Sequence, residues 1–302
     1  MKRTILVALI ALCALWQPAD AAKKKAKHLV FIGIDGWASW CVEQADNIPN
    51  FRALMEGGAW TLHKRSVMPS ASAINWATIF NGLPTEQHGY YRWNSKSPDI
   101  PAAVDKDRSM PKTIYTLLKE QRPGAVNGCV FNWSGIGYVV DSTAVGYFKS
   151  CNVKQYASVL DYTLREAVPY ILEQKPEFFT FYIDNQDGAG HSKGWGSPEY
   201  YDMMSQIDVC VGHIIQALKD AGIYDDTILI VTSDHGGKNK GHGGFTIEEL
   251  ESPFIAFGKG IKKGYEIPDP MMQYDVPATF AHILGLKIPA TWRGRPMTQI
   301  YK

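Results

Sequence analysis

Three short runs of β-branched and aromatic residues, each stopping at a tail of aspartate and glycine, constrain this chain more than any other feature. His28 to Ile34 (HLVFIGI) leads into Asp35-Gly36. Phe178 to Ile183 leads into Asp184-Asn185-Gln186-Asp187-Gly188-Ala189-Gly190-His191. Thr227 to Thr232 leads into Ser233-Asp234-His235-Gly236-Gly237, with Gly241-His242-Gly243-Gly244 close behind. Between such runs the periodicity is helical, and that alternation predicts an α/β domain with a mainly parallel sheet between helices. One long helix is expected after Ser197 as cap and Pro198 in the first turn, with Met203, Ile207, Val211, Ile214 and Leu218 as its apolar stripe and Gly222 as its stop. A second is expected over Lys154–Gln174, and shorter ones near Pro49–Glu56, Pro111–Gln121 and Asp275–Leu284. There is no internal repeat or low-complexity linker, so residues 22–302 read as one domain, with insertions near 89–109 and 123–150.

The 45% hydrophobic and 20% charged residues suffice for a buried core in 302 residues. Lysine and arginine number 31 against 30 acidic residues, a balance that argues against a nucleic-acid-polymer partner or a polybasic membrane surface. Any anion must be recognised locally. Residues 1–21 read as a signal peptide: Lys2 and Arg3 at the start, an apolar run from Thr4 to Trp16, and Ala19-Asp20-Ala21 as the cleavage site. The run falls short of the roughly 20 residues a spanning helix needs, so the mature chain is expected in the periplasm or secreted, with no membrane span. Export permits disulfides among Cys41, Cys129, Cys151 and Cys210, and Cys129–Cys151 is the favoured pair because the two bracket a loop-rich stretch. Cys210, in a helical pattern, reads as a free buried thiol.

In parallel α/β sheets the carboxyl ends of the strands converge on the ligand crevice. Three aspartates (Asp35, Asp187, Asp234) and three histidines (His191, His235, His242) are thereby brought to one sheet edge. Carboxylates gathered there without a cation would leave like charges facing one another with little water. Mixed imidazole and carboxylate donors suit zinc above manganese or magnesium, and six donors exceed the needs of one catalytic zinc. Two metal ions are expected. The nucleophile comes from SVMPSASAINWATIFNG (66–82), where Ser72 starts a helix and Asn75 lies one turn on. Helix N-terminal amides favour an anion, and a metal acidifies a serine hydroxyl. Serine as a plain helix cap is the competing reading.

With these residues assembled, the chain resembles the alkaline phosphatase superfamily, in its type I phosphodiesterase and nucleotide pyrophosphatase branch. The resemblance runs from His28 to Met297 and rests on GIDG, Pro69-x-x-Ser72-x-x-Asn75, Asp187-x-x-Gly190-His191, Ser233-Asp234-His235-Gly236, the following GHGG, and the closing DVPATFAHILGLKIPATWRGRPM. It implies an alkaline-phosphatase-like three-layer sandwich with helices on both faces of the sheet. It implies that Asp35, Asp234 and His235 hold one zinc together with Ser72, that Asp187, His191 and His242 hold the other, and that Asn75 bonds a phosphate oxygen. The branch commonly uses threonine where Ser72 stands. His242 follows the Asp-His pair by a much shorter interval than in the pyrophosphatases. The sulfatase pattern, x-Pro-x-Arg after the nucleophile, is absent from Ser72-Ala73-Ile74-Asn75.

Trp195, close behind His191, is the aromatic residue chosen as a substrate wall. Arg92, Lys106 and Arg108 read as solvated charge rather than a monoester clamp, and His63, His88, His213 and His282 as structural. The favoured function is hydrolysis of a small-molecule phosphate ester, diester or nucleotide-like pyrophosphate before monoester. A phosphomonoesterase, a phosphoryl transferase or mutase, and a non-catalytic metal- and anion-binding protein are the alternatives.

Overall fold

The computed structural model describes residues 25–302. The segment read as an export signal, 1–21, lies outside them. The chain lays down β1 (His28–Ile34), β2 (Ala59–Arg65), β3 (Asn127–Phe131), β4 (Tyr147–Ser150), β5 (Phe178–Ile183), β6 (Thr227–Thr232), β7 (Glu251–Gly258) and two-residue strands β8 (Tyr265–Glu266) and β9 (Met271–Met272). They form one sheet in the order β4-β3-β5-β1-β6-β7-β2-β8, with β9 also on β2. β1 pairs in parallel with β5 and β6, and β3 in parallel with β4 and β5; β7 alone runs antiparallel, between β6 and β2. The three strands expected from the sequence keep their expected limits and stand side by side at the centre.

Their position follows from their composition. Alternate residues of β1 serve two cores: Leu29 and Phe31 pack on one face, Val30, Ile32 and Ile34 on the other. Helices Ser72–Asn81, Ile114–Gln121 and Asp275–Leu284 cover the first face, with Trp76, Phe80 and Phe280 around Phe31 and Tyr115 against Phe80. Helices Ser39–Gln44, Pro49–Gly57 and Pro198–Asp220 cover the second. The result is three layers, with the sheet buried in the middle.

The Pro198–Asp220 helix begins as expected: the Ser197 hydroxyl accepts from Tyr200 N, and Gly222 follows the end with φ +70°. The helix expected over Lys154–Gln174 begins later, at Val159, after a 3₁₀ turn and a Ser158 cap. It also widens into a π turn at Thr163–Ala167, where Val168 N–H reaches back to the Thr163 carbonyl. Pro169 in the next turn has no N–H to give, which favours such a bulge in the hydrogen-bond ladder.

Two expectations are corrected. Residues 123–150 are not an insertion on the domain, because they supply β3, whose residues are all buried, and edge strand β4. The Cys129–Cys151 pair does not form. All four described cysteines are free and buried, and Cys129 packs in the core of one sheet face while Cys151 packs in the other. The sheet itself separates them.

Phe31 is fully buried, with the Phe280 ring centroid 4.9 Å from its own. Phe31→Ala is expected to cost about 3–5 kcal/mol, read as a lower urea midpoint at unchanged slope. A loss below about 1 kcal/mol would contradict a core built on both faces of β1.

Candidate metal centre

The register of the central strands assembles the site. Gly33 of β1 lies opposite Tyr182 of β5, and a side chain at Gly33 would meet the Trp76 ring at 2.7 Å. Glycine there lets Trp76 lie over the strand, edge-on to Tyr182 with centroids 5.0 Å apart. Two residues on, Asp35 receives both: Trp76 Nε1–H donates to Oδ2 at 2.8 Å, and the Tyr182 hydroxyl donates to the same oxygen. Oδ1 is left buried and without a partner. Gly36, with φ +65°, turns the chain against Asp187, whose Oδ1 would sit 2.7 Å from any Cβ. Its N–H donates to Asp234 Oδ1 at 3.2 Å, leaving Asp234 Oδ2 buried and unpartnered too. Asp187 Oδ1 is the third such atom.

The histidines complete the pattern. Nδ1 of His191 lies 3.0 Å from the Lys240 carbonyl, Nδ1 of His242 lies 3.0 Å from the Ser70 carbonyl, and Nδ1 of His235 lies 2.7 Å from the Gly236 carbonyl. A carbonyl only accepts, so each Nδ1 carries a proton and each ring turns its Nε2 inward. His242 Nε2 and His191 Nε2 are 3.1 Å apart, with Asp187 oxygens 3.7 and 3.4 Å from them. His235 Nε2 lies 3.4 Å from Asp35 Oδ1 and 3.1 Å from Asp234 Oδ2. The His235 and His242 rings stack with centroids 3.8 Å apart, so the two groups adjoin.

Facing lone pairs and orphaned carboxylate oxygens are mutually repulsive unless cations lie among them. Burial is the largest cause raising the carboxyls of Asp35, Asp187 and Asp234, with the Asp35 charge next for the latter two. Burial likewise pushes His235 and His242 down to about 3, which keeps them neutral and able to ligate. Two sets have donor atoms within metal-binding reach of one another: Asp187, His191 and His242; and Asp35, Asp187 and His235. The first matches the grouping that the resemblance implies. In the second, Asp187 rather than Asp234 completes the set, although Asp234 is beside His235. Asp187 therefore faces both groups.

Ser72 heads the Ser72–Asn81 helix but does not cap it; Ala71 is the cap residue, with no side-chain bond. Its hydroxyl lies 3.2 Å from His235 Nε2 and opens on a cleft of approximately 710 Å³. One of the helix's leading amides, Ala73 N–H, is already bonded to the Trp93 carbonyl at 3.1 Å. Asn75 is not beside it for a phosphate. Its Nδ2 donates to the carbonyls of Val67, Pro69 and Ala71, and its Oδ1 accepts from Val67 N–H. Fully buried and fully bonded, it holds the loop that delivers Ser72.

Trp195 is also reassigned. It is buried, donates from Nε1 to the Gly36 carbonyl at 2.8 Å, and meets the His191 ring edge-on at 5.3 Å. It packs against the His191 and His242 rings from behind. The cleft's aromatic lining is Tyr91, Trp93 and Trp133, and Asp184 adds a carboxylate pushed up to about 7, chiefly by burial. Arg92 also lines the cleft but pairs with Asp99, and Arg108 pairs with Asp141. Residues 89–113, which carry Tyr91, Arg92 and Trp93, contain no helix or strand, so no periodicity singled these aromatics out from the others that could line a wall.

The family model described as type I phosphodiesterase / nucleotide pyrophosphatase matches residues 29–251. Ectonucleotide pyrophosphatase/phosphodiesterase family member 1 of Rattus norvegicus is 26% identical over 235 residues, covering 72% of this chain and 25% of that protein. A bis(5'-adenosyl)-triphosphatase of Homo sapiens is 25% identical over 235 residues, covering 72% of this chain and 49% of that one. The chain thus spans a quarter to a half of the length of these relatives. Murine ectonucleotide pyrophosphatase / phosphodiesterase 5 superposes with a TM-score of 0.73 at 18% identity, covering 91% of this chain and 100% of that one. A 2-O GAG sulfatase superposes at 0.72 and 15% identity, covering 90% and 73%. Both solved structures share the fold.

Trp76→Phe and Tyr182→Phe each remove one donor from Asp35 Oδ2 while keeping the ring. Each is expected to weaken metal binding by about 10–100-fold, measured by competition with a chromogenic chelator. Unchanged affinity in both would show that Asp35 is held by something else.

Proposed function

We propose that this chain, which belongs to the type I phosphodiesterase / nucleotide pyrophosphatase family, hydrolyses small phosphoric esters with Ser72 as nucleophile. The observation that carries this reading is the convergence of three inward-facing Nε2 atoms and three unpartnered carboxylate oxygens beside the Ser72 hydroxyl, which itself lies against one of those nitrogens. The donor set fits two divalent cations, with zinc favoured by its nitrogen content over manganese or magnesium. Asp35, Asp234, His235 and Ser72 would hold one, and Asp187, His191 and His242 the other. When bound, such ions supply Lewis acidity to the serine hydroxyl and to the phosphate oxygens.

The residues themselves account for the rest. Ser72 Oγ attacks phosphorus in line with the departing oxygen; the O–P bond to the leaving alcohol breaks, and the alcohol departs with a proton. Water then displaces Ser72 Oγ from phosphorus, returning the hydroxyl and releasing the acid. Tyr182 and Trp76 keep Asp35 oriented throughout, and Asn75 keeps the 67–71 loop from shifting Ser72. Trp93, Trp133 and Tyr91 offer flat apolar surface to a substituent on the phosphate.

Diesters are favoured over monoesters. Among the described residues, Arg92 is the only arginine or lysine lining the cleft, and Asp99 already neutralises it. A monoester's second charge would find no free cation there beyond the metals. We also place the mature protein outside the cytoplasm, on the signal-like residues 1–21. No helix among the described residues is long and apolar enough to cross a membrane.

Zinc-loaded protein is expected to give kcat/KM values in the order bis-p-nitrophenyl phosphate, p-nitrophenyl phosphate, p-nitrophenyl sulfate. A monoester preference would transfer the reading to a phosphatase, and phosphoryl transfer to an added alcohol in place of water would make it a transferase. Ser72→Ala is expected to lower kcat by at least about a thousandfold with metal content retained. Turnover within tenfold of the parent would remove Ser72 from the nucleophile role.

A further inference from the structure

Lys64 is the one lysine wholly buried among the described residues, and the reaction sketched above does not use it. It lies on β2, two strands from β6, opposite Ser252 of β7. The β2–β7 register shifts between Thr61 and Lys64, an irregularity of the kind that re-aims a side chain. From there Nζ crosses β7 and donates to the Ser233 carbonyl at 2.8 Å, to Ser252 Oγ at 2.8 Å, and to Gln273 Oε1. An ammonium has three protons, and all three are spent on neutral oxygens. No carboxylate among the described residues forms an ion pair with it.

A charge buried without an ion-pair partner is costly, and burial holds this amine down to about 7, with the Asp234 charge opposing. The turn whose Ser233 carbonyl Lys64 holds collects further contacts. Gln273 Nε2 donates to the Asp234 carbonyl at 2.7 Å, and Ser66 Oγ donates to the same carbonyl at 2.6 Å. Ser233 Oγ donates to the His235 carbonyl at 2.9 Å and accepts from Trp37 N–H at 2.9 Å. Every backbone carbonyl from Ser233 to His235 is thus held from behind, while Asp234 Oδ2 and His235 Nε2 face the centre.

We propose that Lys64 is a positioning residue for the Asp35–Asp234–His235 side of the centre: it anchors the Ser233–His235 turn so that both side chains hold a cation's geometry. The proposal rests on the two-cation reading of the site but not on hydrolysis. Lys64→Met keeps length and volume and removes every donor; Lys64→Gln keeps a donor.

Each variant, folded by circular dichroism, is titrated with zinc against a chromogenic chelator and assayed in parallel. Lys64→Met is expected to keep a melting temperature near or above the parent's, bind the first zinc normally, and bind the second about 10–100-fold more weakly. Its kcat falls while KM changes little, and Lys64→Gln recovers part of both. Two zinc ions bound at parental affinity by folded Lys64→Met would overturn the proposal, since a merely structural lysine would move only the melting temperature. If Lys64→Met does not fold, Ser252→Ala decides: a several-fold weaker second zinc supports the role, and unchanged affinity overturns it. A parent chain that binds two zinc ions yet hydrolyses no ester defeats the proposed function and leaves this test intact. A parent that binds none defeats both.

Discussion

Three carboxylates that cannot all remain charged without a cation between them are the constraint on which this structure turns. Asp35, Asp187 and Asp234 extend from the ends of three adjacent strands, each with one oxygen buried and unpartnered. In water such a trio would separate, but here the sheet register prevents it. The surrounding fold commits donors to one oxygen of Asp35 and one of Asp234 and leaves the other bare. The histidines repeat the device with backbone carbonyls, which tie down Nδ1 and release Nε2. The centre is prepared for a positive charge before any arrives, and the cost of preparing it is borne by the packing of two cores.

That arrangement spreads responsibility for the chemistry well beyond the groups that touch a substrate. Trp76 belongs to the helix that begins with Ser72, so one element presents Ser72 and orients Asp35. Asn75, on the same helix, ties the preceding loop to it. Lys64 reaches from a different part of the sheet to the turn carrying Asp234 and His235. Several separate segments therefore share one geometric task, which suits a site whose donors must agree within a few tenths of an ångström.

The central strands were legible because burial on both sides demands unbroken runs such as FFTFYI and TILIVT, and their glycine- and aspartate-bearing tails marked the sheet edge where the donors gather. The flanking strands were not. β2 reads AWTLHKR, with a lysine in its buried half; β3 is only five residues long; and β7 carries Pro253. The helix start at Ser72 was legible because Pro69 and a run of small residues precede a helical pattern. Asn75 was misread, since one-turn spacing places two side chains on a similar face without saying which is satisfied by a neighbouring loop. Trp195 was misread for a related reason: nearness in sequence to His191 put it behind the ring rather than in front. Tyr91, Trp93 and Trp133 reach the cleft from irregular segments, where no period exists to follow. The cysteines show the limit most plainly, because two residues that bracket a loop can still lie on opposite sides of a sheet.

The bond from Ala73 N–H to the Trp93 carbonyl links that irregular segment to the residue beside Ser72. The acceptor is a main-chain atom, indifferent to which side chain stands at position 93. The aromatic wall of the cleft can therefore be rewritten in evolution, residue by residue, while the strut beside Ser72 stays in place. Variation of the cleft wall and constancy of the Ser72 seat become separable properties of one loop.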